Sequence, residues 1–339
     1  MRKTKIPGTD IEIRGFGYGL GAFGGAWNHS PVPPGDSEEA ERVIRMTHEL
    51  GVNFYDVAAS YAYGKAEASV GLALRRMPSL RGEIVIQSKC GIVLPRSAEL
   101  IDPPAEDPYY LDSSKEHIVA SAEASLRRLG IDHLDILLIH RPDILMEPDE
   151  IAEAFDALHT AGKVRYFGLS NFSPAQTERL KRSLDQPIVT NQLRFGLGHP
   201  YLAADGFDFN RVGAKRSDRF YAGTDGALEY FRANDILVQA WSPTQGTFAG
   251  GRWDEFANRQ TRLIREIEDV AQAHATSADA VAIAWILRHP AGFVPLVSSK
   301  SLERLAAYRA AYDLSLGRKE WYRLFYAAYD QGAHALHQG

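Results

Sequence analysis

The chain has 339 residues, 45% of them hydrophobic and 24% charged, which is ample apolar material for a large core. A net charge of −5 offers no basic face for nucleic-acid phosphates, and no apolar run approaches the ~18 residues that cross a bilayer. The single cysteine, Cys90, excludes an internal disulfide, and the basic opening residues 1–6 lack a signal peptide's apolar core, so the cytoplasm is the default expectation.

From the first residues onward, short apolar runs alternate with amphipathic helical stretches, the pattern of parallel strands joined by crossover helices. The predicted strands are Gly15–Leu20, Asn53–Ala58, Ile84–Lys89, Leu134–His140, Val164–Ser170, Val189–Leu193, Leu237–Trp241 and Phe293–Ser298. Runs such as 134–139 are almost continuously apolar, as in strands covered on both faces. Between them, Asp36-Ser37-Glu38-Glu39 opens a helix that Gly51 ends, Ser113-Ser114 opens another that stops at Gly130, and Ser173-Pro174 caps a third. A further helix is expected from Ser277 to His289, and an added amphipathic one from Gly317 to Ala328. Eight strands close a (β/α)8 TIM barrel, here one domain over residues 1–339. Two long loops, about 91–112 and 196–225, follow strands and would sit on the C-terminal face as lids or binding loops. Gly15-Phe16-Gly17-Tyr18-Gly19 lacks the third glycine of a dinucleotide fingerprint, because Leu20 stands where it should be, so these glycines belong to a tight first strand.

Polar residues gather where the strands end, which in this barrel is the active-site rim. Asp56 ends the second strand, Lys89 the third and His140 the fourth, and Tyr61 follows in the loop after Asp56. Strands commonly end in serine or asparagine, but a lysine at the end of Ile84-Val85-Ile86-Gln87-Ser88 needs a partner or a task. Asp56 is the natural partner. Together the four groups suit protonation of a carbonyl oxygen. A neighbouring ammonium stabilises a phenolate, the carboxylate holds the ammonium, and an imidazole orients the substrate oxygen. Taken singly, each residue reads more readily as a structural group than as a catalyst, and only the combination is specific. Clustered histidines that would ligate a metal are missing, with only His29 near the first strand and no His-x-His, so a metal-dependent hydrolase is disfavoured.

These residues resemble the aldo-keto reductase superfamily. The match runs through Gly51-Val52-Asn53-Phe54-Tyr55-Asp56-Val57-Ala58-Ala59-Ser60-Tyr61 with Tyr63-Gly64, Glu67 and Gly71, then Ser88-Lys89-Cys90 and 134–140. It continues through Gly162–Phe172 and Thr190-Asn191-Gln192. Ser88-Lys89-Cys90-Gly91 and His140-Arg141-Pro142-Asp143 look most like a bacterial branch of uncharacterised oxidoreductases. The resemblance implies an NADP(H)-binding barrel, with NAD(H) the alternative cofactor. Tyr61 would be the proton donor, Lys89 and Asp56 its tuning pair and His140 the orienting group. It implies that Ser170, Asn171 and Gln192 hold the nicotinamide carboxamide and that Trp241 stacks on the ring. The pyrophosphate would lie against Ser242 to Thr247, including Gly246, and Ser298, Ser299, Lys300 and Arg304 resemble the 2′-phosphate site. The glutamate and asparagine that usually follow at the third and fourth positions after Arg304 are Ala307 and Tyr308 here. Trp27, His29, Tyr63, Arg141 and Phe172 are expected to line a pocket for a small carbonyl substrate. The expected assembly is a monomer or small homo-oligomer, without nucleic acid or membrane. A competing class is a cofactor-binding regulatory subunit with little or no turnover.

Overall fold

The computed structural model describes residues 2–97, 104–208, 226–244 and 257–329. All eight predicted strands are present within two residues of their expected bounds. They are β1 (Gly17–Gly19), β2 (Phe54–Asp56), β3 (Val85–Cys90), β4 (Leu134–Ile139), β5 (Val164–Ser170), β6 (Ile188–Arg194), β7 (Leu237–Trp241) and β8 (Val294–Val297). They pair in parallel and in sequence order, β8 returning to β1, so the sheet closes into a barrel without an edge. Helices surround it. Asp36–Glu49, Lys115–Leu129, Pro174–Lys181 and Ala278–Leu287 begin within a residue or two of their expected starts. Ser114, Ser173 and Ser277 each accept a backbone N–H at their helix starts, as the sequence implies. The helix start at Asp36 works differently. The helix starts behind Gly35 in a left-handed conformation, and the Asp36 carboxylate instead accepts from Gly24 N and Ser69 Oγ. The added helix lies at Arg318–Tyr329, where Trp321 stacks on Trp285 at 5.0 Å.

Two short strands escaped the sequence reading. Lys3–Lys5 and Glu12–Arg14 form an antiparallel hairpin whose Ile6, Ile11 and Ile13 join the inward residues Phe54, Val85, Ile136, Leu138, Leu237, Val294 and Leu296 in one buried cluster. The hairpin thereby closes the barrel's N-terminal end. Gly17 is required by this packing, since a Cβ there would lie 2.3 Å from Leu296 Cδ2. A second hairpin, Ile92–Val93 with Tyr110–Leu111, lies within the first long loop.

Because side chains alternate along a strand, the barrel interior is built in layers. The apolar layer just named fills the bottom. Above it Asp56, Gln87, Gln192 and Gln239 meet in a polar layer, and Lys89, Arg194 and Trp241 follow at the mouth. On the outside, helix Lys65–Arg75 crosses Lys115–Leu129 at Gly71, where a Cβ would meet Arg128 O at 2.1 Å and Leu129 Cα at 2.9 Å. Backbone atoms cannot yield as a flexible side chain can. Gly71→Ala is therefore expected to cost ~1–3 kcal/mol of stability through overpacking. Chemical denaturation would read this as a lowered midpoint; an unchanged midpoint would show that the two helices can separate freely.

Candidate active site

The parallel strands bring Asp56 and Lys89 together at the centre of the barrel. Lys89 Nζ donates to Asp56 Oδ2 at 2.6 Å, to Val57 O at 2.9 Å and to Tyr61 Oη at 3.2 Å, and none of the Lys89 side chain reaches solvent. Burial works against the ammonium, but the Asp56 carboxylate and the Tyr61 phenol outweigh it and raise the Lys89 pKa above the ordinary lysine value. The lysine is therefore charged, with three acceptors for its three protons. A buried ion pair survives only when its remaining valences are satisfied. Here Asp56 Oδ1 accepts from Gln87 Nε2 at 2.6 Å and from Gln192 Nε2 at 3.0 Å. Gln239 joins both amides, accepting from Gln87 at 2.9 Å and Gln192 at 3.1 Å and donating back to Gln87 Oε1 at 2.8 Å. Gln87 and Gln239 were missed by the sequence reading. Their signal was a polar residue within a strand, two positions before an inward rim residue.

Tyr61 stands over this pair from the turn Tyr61–Gly64. Ala62 and Tyr63 adopt left-handed φ of 48° and 60°, and Gly64 follows at 81°. Non-glycine residues pay about 1–3 kcal/mol for such backbone, which marks a turn held by its surroundings. The ring is fixed by Lys89, 4.8 Å from its centroid, by Trp27 at 6.3 Å, and by Gly21, whose absent Cβ would lie 3.1 Å away. His140, just past β4, meets Tyr61 edge-on at 5.7 Å, and its Nδ1 lies 3.4 Å from Ser60 Oγ. Burial, then the charges of Lys89 and Arg141, depress His140 well below 6.5, so the imidazole is neutral. The four groups are thus linked by direct contacts at the C-terminal end of the barrel.

Across that mouth, Ser170, Asn171, Gln192 and Trp241 form a second connected group. Asn171 is left-handed at φ 64°, accepts from Trp241 Nε1 at 3.1 Å and donates to Ser170 Oγ at 2.8 Å. Ser170 Oγ in turn donates to Gln192 O at 3.1 Å.

The profile of the Aldo/keto reductase family matches residues 16–325. The chain belongs to the aldo/keto reductase family. It is 36% identical to the "Uncharacterized oxidoreductase YcsN" of Bacillus subtilis, over 96% of this chain and 98% of that protein. It is 33% identical to a "6-dehydroglucose reductase" of Agrobacterium fabrum, over 93% and 94%. A glycerol dehydrogenase from Gluconobacter oxydans shares the fold at a TM-score of 0.75 and 23% identity, covering 96% of this chain and 94% of that one.

Members of this family are oxidoreductases that use nicotinamide cofactors on small carbonyl substrates, and the aldo/keto reductase described here offers a fitting donor set. Gln192 spends both amide protons on Asp56 and Gln239, and its Oε1 takes no hydrogen bond from the described residues, leaving an acceptor for a carboxamide N–H. Ser242 is left-handed at φ 50°, and Gly196 packs so closely on Pro243 that a Cβ would lie 2.2 Å from its carbonyl oxygen. Gly246 lies outside the described residues. At the far end, Tyr18 donates to Ser299 O at 3.0 Å, and burial leads the causes that lift its phenol above 10 even though Ser298 and Ser299 hydrogen-bond it. Lys300 Nζ lies over the Phe23 ring at 4.5 Å with no carboxylate in salt-bridge range among the described residues. Arg304 is not free: its fork grips Asp279 at 2.8 and 3.1 Å, and it lies over the Tyr308 ring.

The expected pocket walls assemble only in part. Trp27 is 40% exposed beside Tyr61, Tyr63 pairs edge-on with His29 at 4.5 Å, and Arg141 is exposed beside His140. The Tyr63 hydroxyl is buried without a hydrogen-bond partner among the described residues. Phe172 departs from the expectation. It is 1% exposed and sits in the shell between barrel and helices, its carbonyl held by Asn191 Nδ2, so its ring belongs to the core rather than to an accessible wall. No helix among the described residues is long and apolar enough to cross a membrane.

Proposed function

We propose that this enzyme reduces aldehydes or ketones to alcohols with NADPH, Tyr61 supplying the proton. One observation carries the reading: a single buried ammonium, Lys89, touches both a carboxylate and the Tyr61 hydroxyl, beside a neutral imidazole. A nicotinamide dinucleotide, when bound, supplies hydride to the carbonyl carbon. Tyr61 Oη gives its proton to the carbonyl oxygen, and Lys89 stands where the phenol oxygen gains negative charge. Asp56 keeps Lys89 charged and fixed. His140, being neutral, donates an N–H to the substrate oxygen and positions it without acting as a competing acid. A positioned general acid contributes typically ~10²–10⁴ in rate.

For the cofactor, Gln192 Oε1 with Ser170 and Asn171 holds the carboxamide, Trp241 offers an aromatic face to the ring, and Ser242 and the following backbone receive the pyrophosphate. Ser298, Ser299, Lys300 and Arg304 form the 2′-phosphate end, with Asp279 sharing the Arg304 fork. Steady-state kinetics with NADPH and NADH over a panel of aldehydes and ketones test both parts. In Arg304→Ala the KM for NADPH is expected to rise about tenfold or more, the scale of a lost charge-assisted hydrogen bond, while NADH changes within about twofold. Equal losses for both cofactors would move the phosphate site elsewhere. A wild-type protein that consumes neither cofactor in the presence of any carbonyl would refute the reductase reading.

A further inference from the structure

Arg194 ends β6 two residues beyond Gln192 and therefore faces the same barrel interior, about 7 Å further toward the mouth. Its register partner is Trp241, and its guanidinium carbon lies 5.5 Å from that ring's centroid. Several other arginines packed around the barrel hold carboxylates: Arg81 and Arg165 hold Asp135, Arg128 holds Glu67, and Arg304 holds Asp279. Among the described residues Arg194 has no acidic partner, and its buried Nε has no hydrogen-bond partner. Burial depresses its pKa, and among the described residues the Tyr201 phenol works the other way. Its own charge helps hold nearby His199, already penalised by burial, down to about 4. A half-buried cation with an orphaned donor is costly unless an anion arrives to meet it. Arg141, exposed beside His140, likewise has no carboxylate within salt-bridge range among the described residues. Among the described residues, the mouth thus carries two arginines without carboxylate partners in a protein whose net charge is −5.

We propose that Arg194 is an oxyanion subsite of the active site. It receives a carboxylate or phosphate group, carried either by the carbonyl substrate or by the dinucleotide's diphosphate. The planar fork suits either, since both present paired oxygens to parallel N–H donors. The assignment rests on the reductase reading only for the identity of the ligand. The buried Arg194 Nε, without an acceptor among the described residues, stands without it.

The test compares wild type with Arg194→Gln and Arg194→Lys, each checked for native circular dichroism. Two aldehydes of matched shape serve as substrates: 4-carboxybenzaldehyde and its neutral methyl ester. Binding of NADH, NADPH, inorganic pyrophosphate and terephthalate is measured by calorimetry, without turnover. If the anion belongs to the substrate, Arg194→Gln lowers kcat/KM for the acid relative to the ester by about tenfold or more and weakens terephthalate, leaving both cofactors unchanged. If it belongs to the dinucleotide, the acid-to-ester ratio is unchanged, and NADH, NADPH and pyrophosphate all weaken by a similar factor. In either case Arg194→Lys falls between, keeping the charge without the fork. A folded Arg194→Gln protein that shifts none of these quantities overturns the proposal. Calorimetric losses in a protein that reduces neither these aldehydes nor any carbonyl of the wider panel would sink the reductase reading and leave the subsite standing.

Discussion

Tyr61→Phe is expected to lower turnover by ~10²–10⁴ while leaving the fold and the affinity for either nicotinamide cofactor within a few-fold of wild type. The reason lies in what the hydroxyl touches. Among the described residues its hydrogen bond is with Lys89 Nζ, which keeps Asp56 Oδ2 at 2.6 Å and Val57 O at 2.9 Å when the phenol oxygen is removed. The lost bond is partly exposed, so the stability change should stay near 1 kcal/mol. The ring itself, held by Trp27, Lys89 and His140, remains in place. Single-turnover kinetics at saturating NADPH, together with a cofactor titration, separate the chemical step from binding. Turnover of Tyr61→Phe close to wild type would assign the proton to another group.

Lys89→Met is expected to damage both rate and stability, and a double substitution separates the two. Methionine fills much of the space but leaves the Asp56 carboxylate, 3% exposed, with only the amide donors of Gln87 and Gln192. Breaking a buried pair from one side typically costs ~3–5 kcal/mol. Turnover should fall by ~10²–10³, the usual scale for removing one preorganised electrostatic stabiliser. Adding Asp56→Asn removes the stranded charge, and an asparagine can still accept from the two glutamine amides. The double variant should regain most of the stability but none of the rate. Urea unfolding midpoints alongside kcat read both quantities. If stability and activity recovered together, Lys89 and Asp56 would be structural partners with no part in the chemistry.

Much of this site was legible because strand geometry is simple. Side chains alternate, so a charged residue closing an apolar run must point into the barrel or into the helix shell, and neither tolerates it idly. That made Lys89 conspicuous, and Asp56, Tyr61 and His140 then followed as its company. Gln87 and Gln239 were not conspicuous, because an amide inside a strand also reads as an ordinary outward position until the register is known. Asp279 stands 25 residues before Arg304 and binds it only because two helices lie side by side. Phe172 directly follows Asn171, and one residue's difference turned its ring from the mouth to the core. The N-terminal hairpin escaped for a different reason: three-residue strands carry too little periodicity to register.

The order of residues alone determined the eight strands, their parallel arrangement around one barrel, and which polar groups would crowd its C-terminal rim. These follow from period, apolar content and chain order, all local properties of a linear polymer. Only the folded molecule decided which charges found partners: Lys89 with Asp56, Arg304 with Asp279, and Arg194 with no carboxylate among the described residues. Pairing depends on distances between segments far apart in the chain, and burial then sets how much each pairing, or its lack, is worth.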